Sequence, residues 1–164
     1  MLTIRPTTAA DGPEVARIYV DSSNDGFKDL LPTAVLDDGR IARWTVTVAE
    51  SNWWVAEVDG WIAGVVGIGP SRDPVDPELG ELDTIAVDKP YWRRGVGTAL
   101  MRKALEELSA QYDEAIVWTL ANYPQGQNFY VKTGWTLTEQ TRDEGRQVSY
   151  RRVFTSSSPT ARRR

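Results

Sequence analysis

The residues with the clearest capacity for chemistry are Trp92-Arg93-Arg94-Gly95-Val96-Gly97-Thr98. Gly95 and Gly97 stand between an alternating apolar run and a run with helical spacing. Glycine lets backbone come close to a ligand, because no Cβ intervenes. The first N–H groups of a helix have no internal partner, and the helix dipole favours an anion there. Arg93 and Arg94 add positive charge. This segment is expected to cradle a diphosphate through its backbone. It is not a Gly-x-x-x-x-Gly-Lys-Ser/Thr loop, and it lacks the three-glycine dinucleotide spacing. Taken alone, the competing reading is a tight strand-to-helix turn.

The 164-residue chain contains no cysteine and no histidine. That excludes a disulfide, a thiolate nucleophile, a Ser-His-Asp triad and any His/Cys metal site, leaving only carboxylates for a metal. Acid–base work falls to Asp, Glu, Tyr, Lys, a terminal amine or water. The net charge of −4 includes the three arginines Arg162, Arg163 and Arg164, so the body is more acidic than the whole. An acidic body argues against a nucleic-acid footprint. It serves solubility first and attracts a cationic amine second. There is no apolar run of the ~20 residues that a membrane span needs. Met1 to Pro6 lacks the apolar stretch of a secretory signal, so no membrane association is expected and a cytoplasmic location is.

The cradle needs a strand before it and a helix after it, and the pattern supplies both. Glu81-Leu82-Asp83-Thr84-Ile85-Ala86-Val87 reads as a strand ended by Asp88-Lys89-Pro90. From Gly95 to Ala110 the period becomes 3.6, with Val96, Ala99, Leu100, Ala104, Leu105 and Leu108 on one face. Upstream, Leu2 to Arg5 alternates like a strand, and Thr8 to Asp11 opens a helix carrying Val15, Ile18 and Tyr19. Asn24-Asp25-Gly26 interrupts that pattern, and Leu36 to Glu50 reads as partly helical. Asp59-Gly60 joins two strands, 53–58 and 61–68, in a hairpin. Pro70 to Glu78 reads as a loop. Ala115 to Leu120 is a buried strand, Gln125 to Lys132 a short helix, and Trp135–Thr141 with Gln147–Phe154 a closing antiparallel pair. The order gives an α/β fold with a largely antiparallel first half, in which the crossover helix makes the 81–87 and 115–120 strands parallel. One domain is expected over 1–154, followed by a flexible Ser/Arg-containing tail over 155–164.

Ile85 to Leu100 resembles the central signature of the GNAT-superfamily N-acetyltransferases, Gln/Arg-x-x-Gly-x-Gly/Ala after a strand. Gln127-Asn128-Phe129-Tyr130-Val131-Lys132-Thr133-Gly134-Trp135 is similar to that family's Phe-Tyr-x-x-x-Gly-Phe segment. The resemblance covers residues 2–154, and two linked blocks are more specific than either alone. It implies a mixed, mostly antiparallel sheet flanked by helices, with a parallel strand pair splayed around the cofactor. It also implies acetyl-CoA as acyl donor and an amine-bearing acceptor. By position, the N–H groups of Arg93, Arg94, Gly95, Val96, Gly97 and Thr98 would hold the pyrophosphate. The backbone of Ile85, Ala86 and Val87 would pair with the pantetheine arm, and the Val87 N–H would polarise the thioester carbonyl. Two positions depart from the signature. Trp92 stands where the family has Gln or Arg. Tyr123 stands where an Asn is common, so the cofactor contact passes to its neighbour Asn122.

Within that resemblance Tyr130 is the candidate general acid for the departing thiolate, and the competing role is a core tyrosine. Glu81 lies fourteen positions before Gly95, where some family members carry a catalytic glutamate. Asp83 shares its strand face, and either carboxylate would act directly or through water. Without cysteine, direct attack on the thioester is expected rather than a covalent acyl-enzyme. Phe27, Leu30 and Leu31 lie where the family builds its acceptor wall. Trp53, Trp54, Trp61, Trp118 and Trp135 read as packing residues. A catalytically silent acyl-CoA-binding module on the same fold is the alternative of a different class. Family members often pair, so a homodimer fits the resemblance, though no interface signal stands in the sequence.

Overall fold

A computed structural model describes residues 1–154; the tail expected over 155–164 lies outside the described residues. The elements follow in the order β1 (Leu2–Pro6), α1 (Gly12–Gly26), α2 (Asp38–Val48), β2 (Trp53–Val58), β3 (Trp61–Arg72) and β4 (Val75–Val87). Then come α3 (Val96–Gln111), β5 (Glu114–Leu120), α4 (Pro124–Lys132), β6 (Thr136–Arg142) and β7 (Gln147–Val153). The seven strands form one mixed sheet in the order β1-β2-β3-β4-β5-β7-β6. β4 and β5 are parallel, paired at Gly80–Ala115 and Glu81–Ile116, as the crossover through α3 requires. The α/β class is as the sequence pattern implies, and the mostly antiparallel sheet is as the resemblance implies.

The chain divides into two compact units. The first comprises Met1–Gly67 and Thr84–Lys103. In it β1 and β2 pair antiparallel from Leu2–Val58 to Pro6–Trp54, and β2 pairs with β3. Asp59 and Gly60 both take positive φ, 52° and 87°, which is what a two-residue hairpin needs. Val15, Ile18, Val48, Trp53, Val55, Val65 and Ala86 form the core, with Trp44 and Ile62 packed on it. Arg5 bridges Asp11 (2.8 Å) and Glu57 (3.0 Å), fixing the entry to α1 on β1 and β2. Hydrogen bonds from that guanidinium hold the Asp11 carboxyl below its ordinary pKa. α1 runs through Asn24 to Gly26 rather than stopping there. The Asn24 side chain instead pairs with both backbone groups of Ala34 at 3.0 and 2.8 Å, so its polarity ties down the following loop.

The second unit comprises Ile68–Asp83 and the chain from Ala104 on. β5 pairs with β7 along its whole length, Glu114–Val153 to Leu120–Gln147, and β7 pairs with β6. The Pro70–Glu78 segment is not a loop. β3 extends to Arg72 and β4 begins at Val75, leaving Asp73 and Pro74 as the turn. Tertiary contacts override the turn-forming composition. The Trp118 indole donates to the Asp73 carbonyl at 2.8 Å, and Arg142 reaches the Asp73 carboxylate at 3.2 Å while stacking on Trp118 at 4.4 Å. The Ser71 hydroxyl closes the turn on the Pro74 carbonyl at 2.6 Å.

The contact between α1 and α2 depends on one missing side chain. A Cβ on Gly12 would lie 2.2 Å from the Thr45 hydroxyl oxygen and 2.5 Å from its Cα. The second distance is to backbone, so the helices themselves must part. Gly12→Ala is therefore expected to cost roughly 1–3 kcal/mol in denaturant unfolding; unchanged stability would mean that this close approach is not required.

Candidate acyl-donor and acid–base sites

In the first unit the end of β4 is fixed before the turn begins. The Asp88 N–H donates to the Ala63 carbonyl at 2.9 Å, and its buried carboxylate pairs with Arg17 of α1 at 2.9 Å. Arg17 is also paired with Glu14 and Asp21, so three carboxylates share one guanidinium. The chain then makes a tight turn, with Tyr91 N–H on Asp88 (2.9 Å) and Trp92 N–H on Lys89 (3.0 Å). Arg93 follows with φ 62° and Gly95 with φ 82°. A left-handed residue without glycine's freedom, such as Arg93, is uncommon and costs energy that surrounding structure must supply. Alternating conformations of this kind turn successive N–H groups toward one concavity, a form suited to anions.

The helix begins where this turn ends. Its first hydrogen bond runs from the Ala99 N–H to the Gly95 carbonyl at 3.0 Å. The N–H groups of Val96, Gly97 and Thr98 therefore have no acceptor within the helix. Val96 and Leu100 are fully buried and anchor this terminus, whereas Arg93, Arg94, Gly95 and Thr98 are exposed. The Arg94 guanidinium lies 5.3 Å from the Tyr91 ring. Ile85, Ala86 and Val87 form the last residues of β4.

In the second unit Glu81 is buried and Asp83 is partly exposed, both on β4. They share a partner that the sequence pattern concealed. The Arg72 N–H donates to Glu81 at 2.9 Å, and its guanidinium lies 3.6 Å from Glu81 and 2.9 Å from Asp83. Arg72 lies in the proline- and acid-rich stretch, where composition gives no sign of a strand end. The alternation of Glu81 and Asp83 puts both on one face, and their common contact with Arg72 agrees with it.

Tyr130, on α4, is packed by rings: Phe129 at 5.8 Å, Tyr150 at 5.8 Å and Trp135 at 6.4 Å between centroids. Burial, with a smaller contribution from Tyr123, pushes its phenol well above the ordinary tyrosine range. The phenol is thus protonated at neutral pH, and its hydroxyl has no hydrogen-bond partner among the described residues. Gln127, one turn earlier, donates to the carbonyls of Leu120 (3.1 Å) and Ala121 (2.6 Å) at the end of β5. It thereby sets where α4 starts. Asn122 is exposed in the link between β5 and α4. Among the described residues no group of three or more carboxylates is arranged to hold a metal ion. No helix among them is long and apolar enough to cross a membrane.

The Acetyltransferase (GNAT) family matches residues 13–135, a stretch that includes both the turn and the Phe129-Tyr130 segment. The chain belongs to this family. Family membership carries the general activity, acetyl transfer from acetyl-CoA to an amine. Among curated relatives, the uncharacterized N-acetyltransferase YuaI of Bacillus subtilis is 24% identical over 76% of this chain and 75% of its own. Phosphinothricin N-acetyltransferase of Streptomyces viridochromogenes is 29% identical over 70% of this chain and 62% of its own. The PaiA N-acetyltransferase of Thermoplasma acidophilum, solved with coenzyme A, shares the fold at a TM-score of 0.73 and 13% identity, over 94% and 99% of the two chains. YncA of Salmonella typhimurium, solved with acetyl-CoA, does so at 0.73 and 18%, over 98% of each.

At Gly95 a Cβ would meet nothing within 4 Å. Any penalty there comes from its left-handed backbone alone. Gly95→Ala is expected to lose about 1–2 kcal/mol of stability; full stability would mean that the turn has another conformation of equal energy.

Proposed function

We propose that the chain is an N-acetyltransferase that carries an acetyl group from acetyl-CoA to a primary amine by direct attack, within a single catalytic domain over 1–154. The observation that carries this reading is the left-handed turn at Arg93 and Gly95 opening onto the free N–H groups of α3, in a chain of the GNAT family. The N–H groups of Arg93 to Thr98 hold the diphosphate, with the exposed arginines adding charge. The outward-facing backbone groups of the Ile85–Val87 segment pair with the pantetheine arm, and Asn122 is a further cofactor contact. The Val87 N–H polarises the thioester carbonyl.

The transfer balances with two side chains. The amine nitrogen bonds to the carbonyl carbon, and the carbon–sulfur bond breaks. Glu81, directly or through water, accepts the amine proton, and Tyr130 donates its phenolic proton to the departing thiolate. Burial keeps the Tyr130 phenol protonated at neutral pH, and its unengaged hydroxyl is free to hydrogen-bond the departing sulfur. The shared contact with Arg72 keeps Glu81 and Asp83 in place. The acidic body favours a cationic acceptor in solution. An acceptor that arrives as its ammonium loses two protons: Glu81 takes the first, freeing the nitrogen for attack, and the second leaves the nitrogen of the adduct for water, which in turn reprotonates Tyr130, so that one proton is released per transfer.

Coenzyme A release measured over a panel of amines tests the reading. Tyr130→Phe is expected to lower kcat by about 10²–10⁴ with the acetyl-CoA KM nearly unchanged. Glu81→Gln is expected to lower turnover at neutral pH, with partial recovery at higher pH as more free amine forms. Wild-type turnover in Tyr130→Phe would remove its role as acid. Tight acetyl-CoA binding with no acceptor-dependent turnover in the unaltered protein would assign a binding module instead.

A further inference from the structure

The departure at the first signature position has a geometric counterpart. The Trp92 indole N–H donates to the Val87 carbonyl at 2.7 Å. The direction of that carbonyl follows from its neighbours. The Asp88 N–H meets the Ala63 carbonyl, and a Cβ on Gly64 would lie 2.8 Å from the Ala86 carbonyl. Ala86 and Asp88 thus turn their backbone groups toward β3. Backbone groups alternate along a strand, so those of Ile85 and Val87 turn away from β3. Val87 carries the last carbonyl on that outward edge, and it is the one that Trp92 engages.

Trp92 also begins the turn. Its own N–H closes on Lys89, and the left-handed Arg93 comes next. One half-buried side chain therefore joins the end of β4 to the start of the segment that bends toward α3. The Lys89 ammonium lies 6.0 Å from the indole centroid, over its face. Meanwhile Asp88 is held from α1 by Arg17. The strained residue Arg93 thus follows two consecutive fastenings, one ionic and one through an indole.

We propose that Trp92 is a positioning residue for the acyl donor: its indole, bonded to the Val87 carbonyl, fixes the turn that presents the Arg93–Thr98 N–H groups to a diphosphate. The proposal rests on the acetyl-CoA reading above and adds to it. Trp92 makes no contact with the diphosphate; it holds the backbone that does. A residue acting this way affects donors that carry a diphosphate and spares donors that lack one. On the outward edge of β4 it leaves the Val87 N–H to the thioester carbonyl and the backbone groups of Ile85 to the pantetheine amides.

The test compares two acetyl donors, acetyl-CoA and S-acetylpantetheine, which has no diphosphate. Trp92→Phe keeps a ring and removes the N–H. It is expected to raise the Kd and KM for acetyl-CoA by roughly 3- to 10-fold, the range for one lost hydrogen bond, with kcat and the acceptor KM unchanged. The kcat/KM for S-acetylpantetheine should stay at the wild-type value. If Trp92→Phe does not fold, Trp92→Met carries the same comparison. Wild-type affinity for acetyl-CoA in a folded variant overturns the proposal, and so does an equal loss with both donors, which would make Trp92 a packing residue only. Failure of the unaltered protein to bind acetyl-CoA would instead overturn the underlying reading.

Discussion

Helix α3 must begin with backbone N–H groups that nothing in the helix can accept, and the chain spends its local structure on keeping them open. Covering them would have been simple: a Ser, Thr, Asp or Asn before the helix is the common cap. Here the preceding residues are Arg93, Arg94 and Gly95, none of which offers a side-chain acceptor. The turn is instead bent through left-handed Arg93 and Gly95, and Val96 and Leu100 are buried so that the terminus cannot drift. Strain at Arg93 is tolerated because Asp88 and Trp92 fasten the chain just before it. Donors that have no acceptor within the helix are open to an anion.

The carboxylates and the phenol proposed for acid–base work in the second unit follow the same logic with side chains. Glu81 is buried, and a buried carboxylate requires partners. Arg72 supplies both its N–H and its guanidinium, and Asp83 shares that guanidinium. Arg72 is itself placed by the turn at Asp73–Pro74, whose carbonyl and carboxylate are gripped by Trp118 and Arg142. Tyr130 is placed by rings rather than by hydrogen bonds, so its hydroxyl is left uncommitted while its acidity is suppressed. Packing that spends no polar group on the phenol suits a proton donor.

Much of this was legible before any coordinates, because the informative patterns are local. The periodicity change around Gly95 fixes a strand-to-helix turn, and Asp59-Gly60 fixes a hairpin, since few dipeptides adopt its two positive φ values. The alternation of Glu81 and Asp83 puts them on one face. What stayed hidden depends on partners distant in sequence. The proline- and acid-rich stretch 70–78 looks like a loop, but Trp118 and Arg142 make it a strand-ending turn. Arg72 could not be recognised as a partner of Glu81 for the same reason. The strain at Arg93 was equally invisible, because arginine gives no sign of a left-handed backbone. Trp92 looked like a missing polar residue, and it is in fact an N–H donor to a carbonyl five residues earlier.

In the proposed site, backbone N–H groups of one short segment receive the donor's diphosphate. The most direct measurement is a titration of the ¹⁵N-labelled protein with acetyl-CoA, following every assigned amide. The largest shifts should fall on the amides of Arg93 to Thr98, and the 3′,5′-adenosine diphosphate fragment, which lacks the bridging diphosphate, should fail to reproduce them. Saturable binding that leaves those amides unmoved would contradict the account.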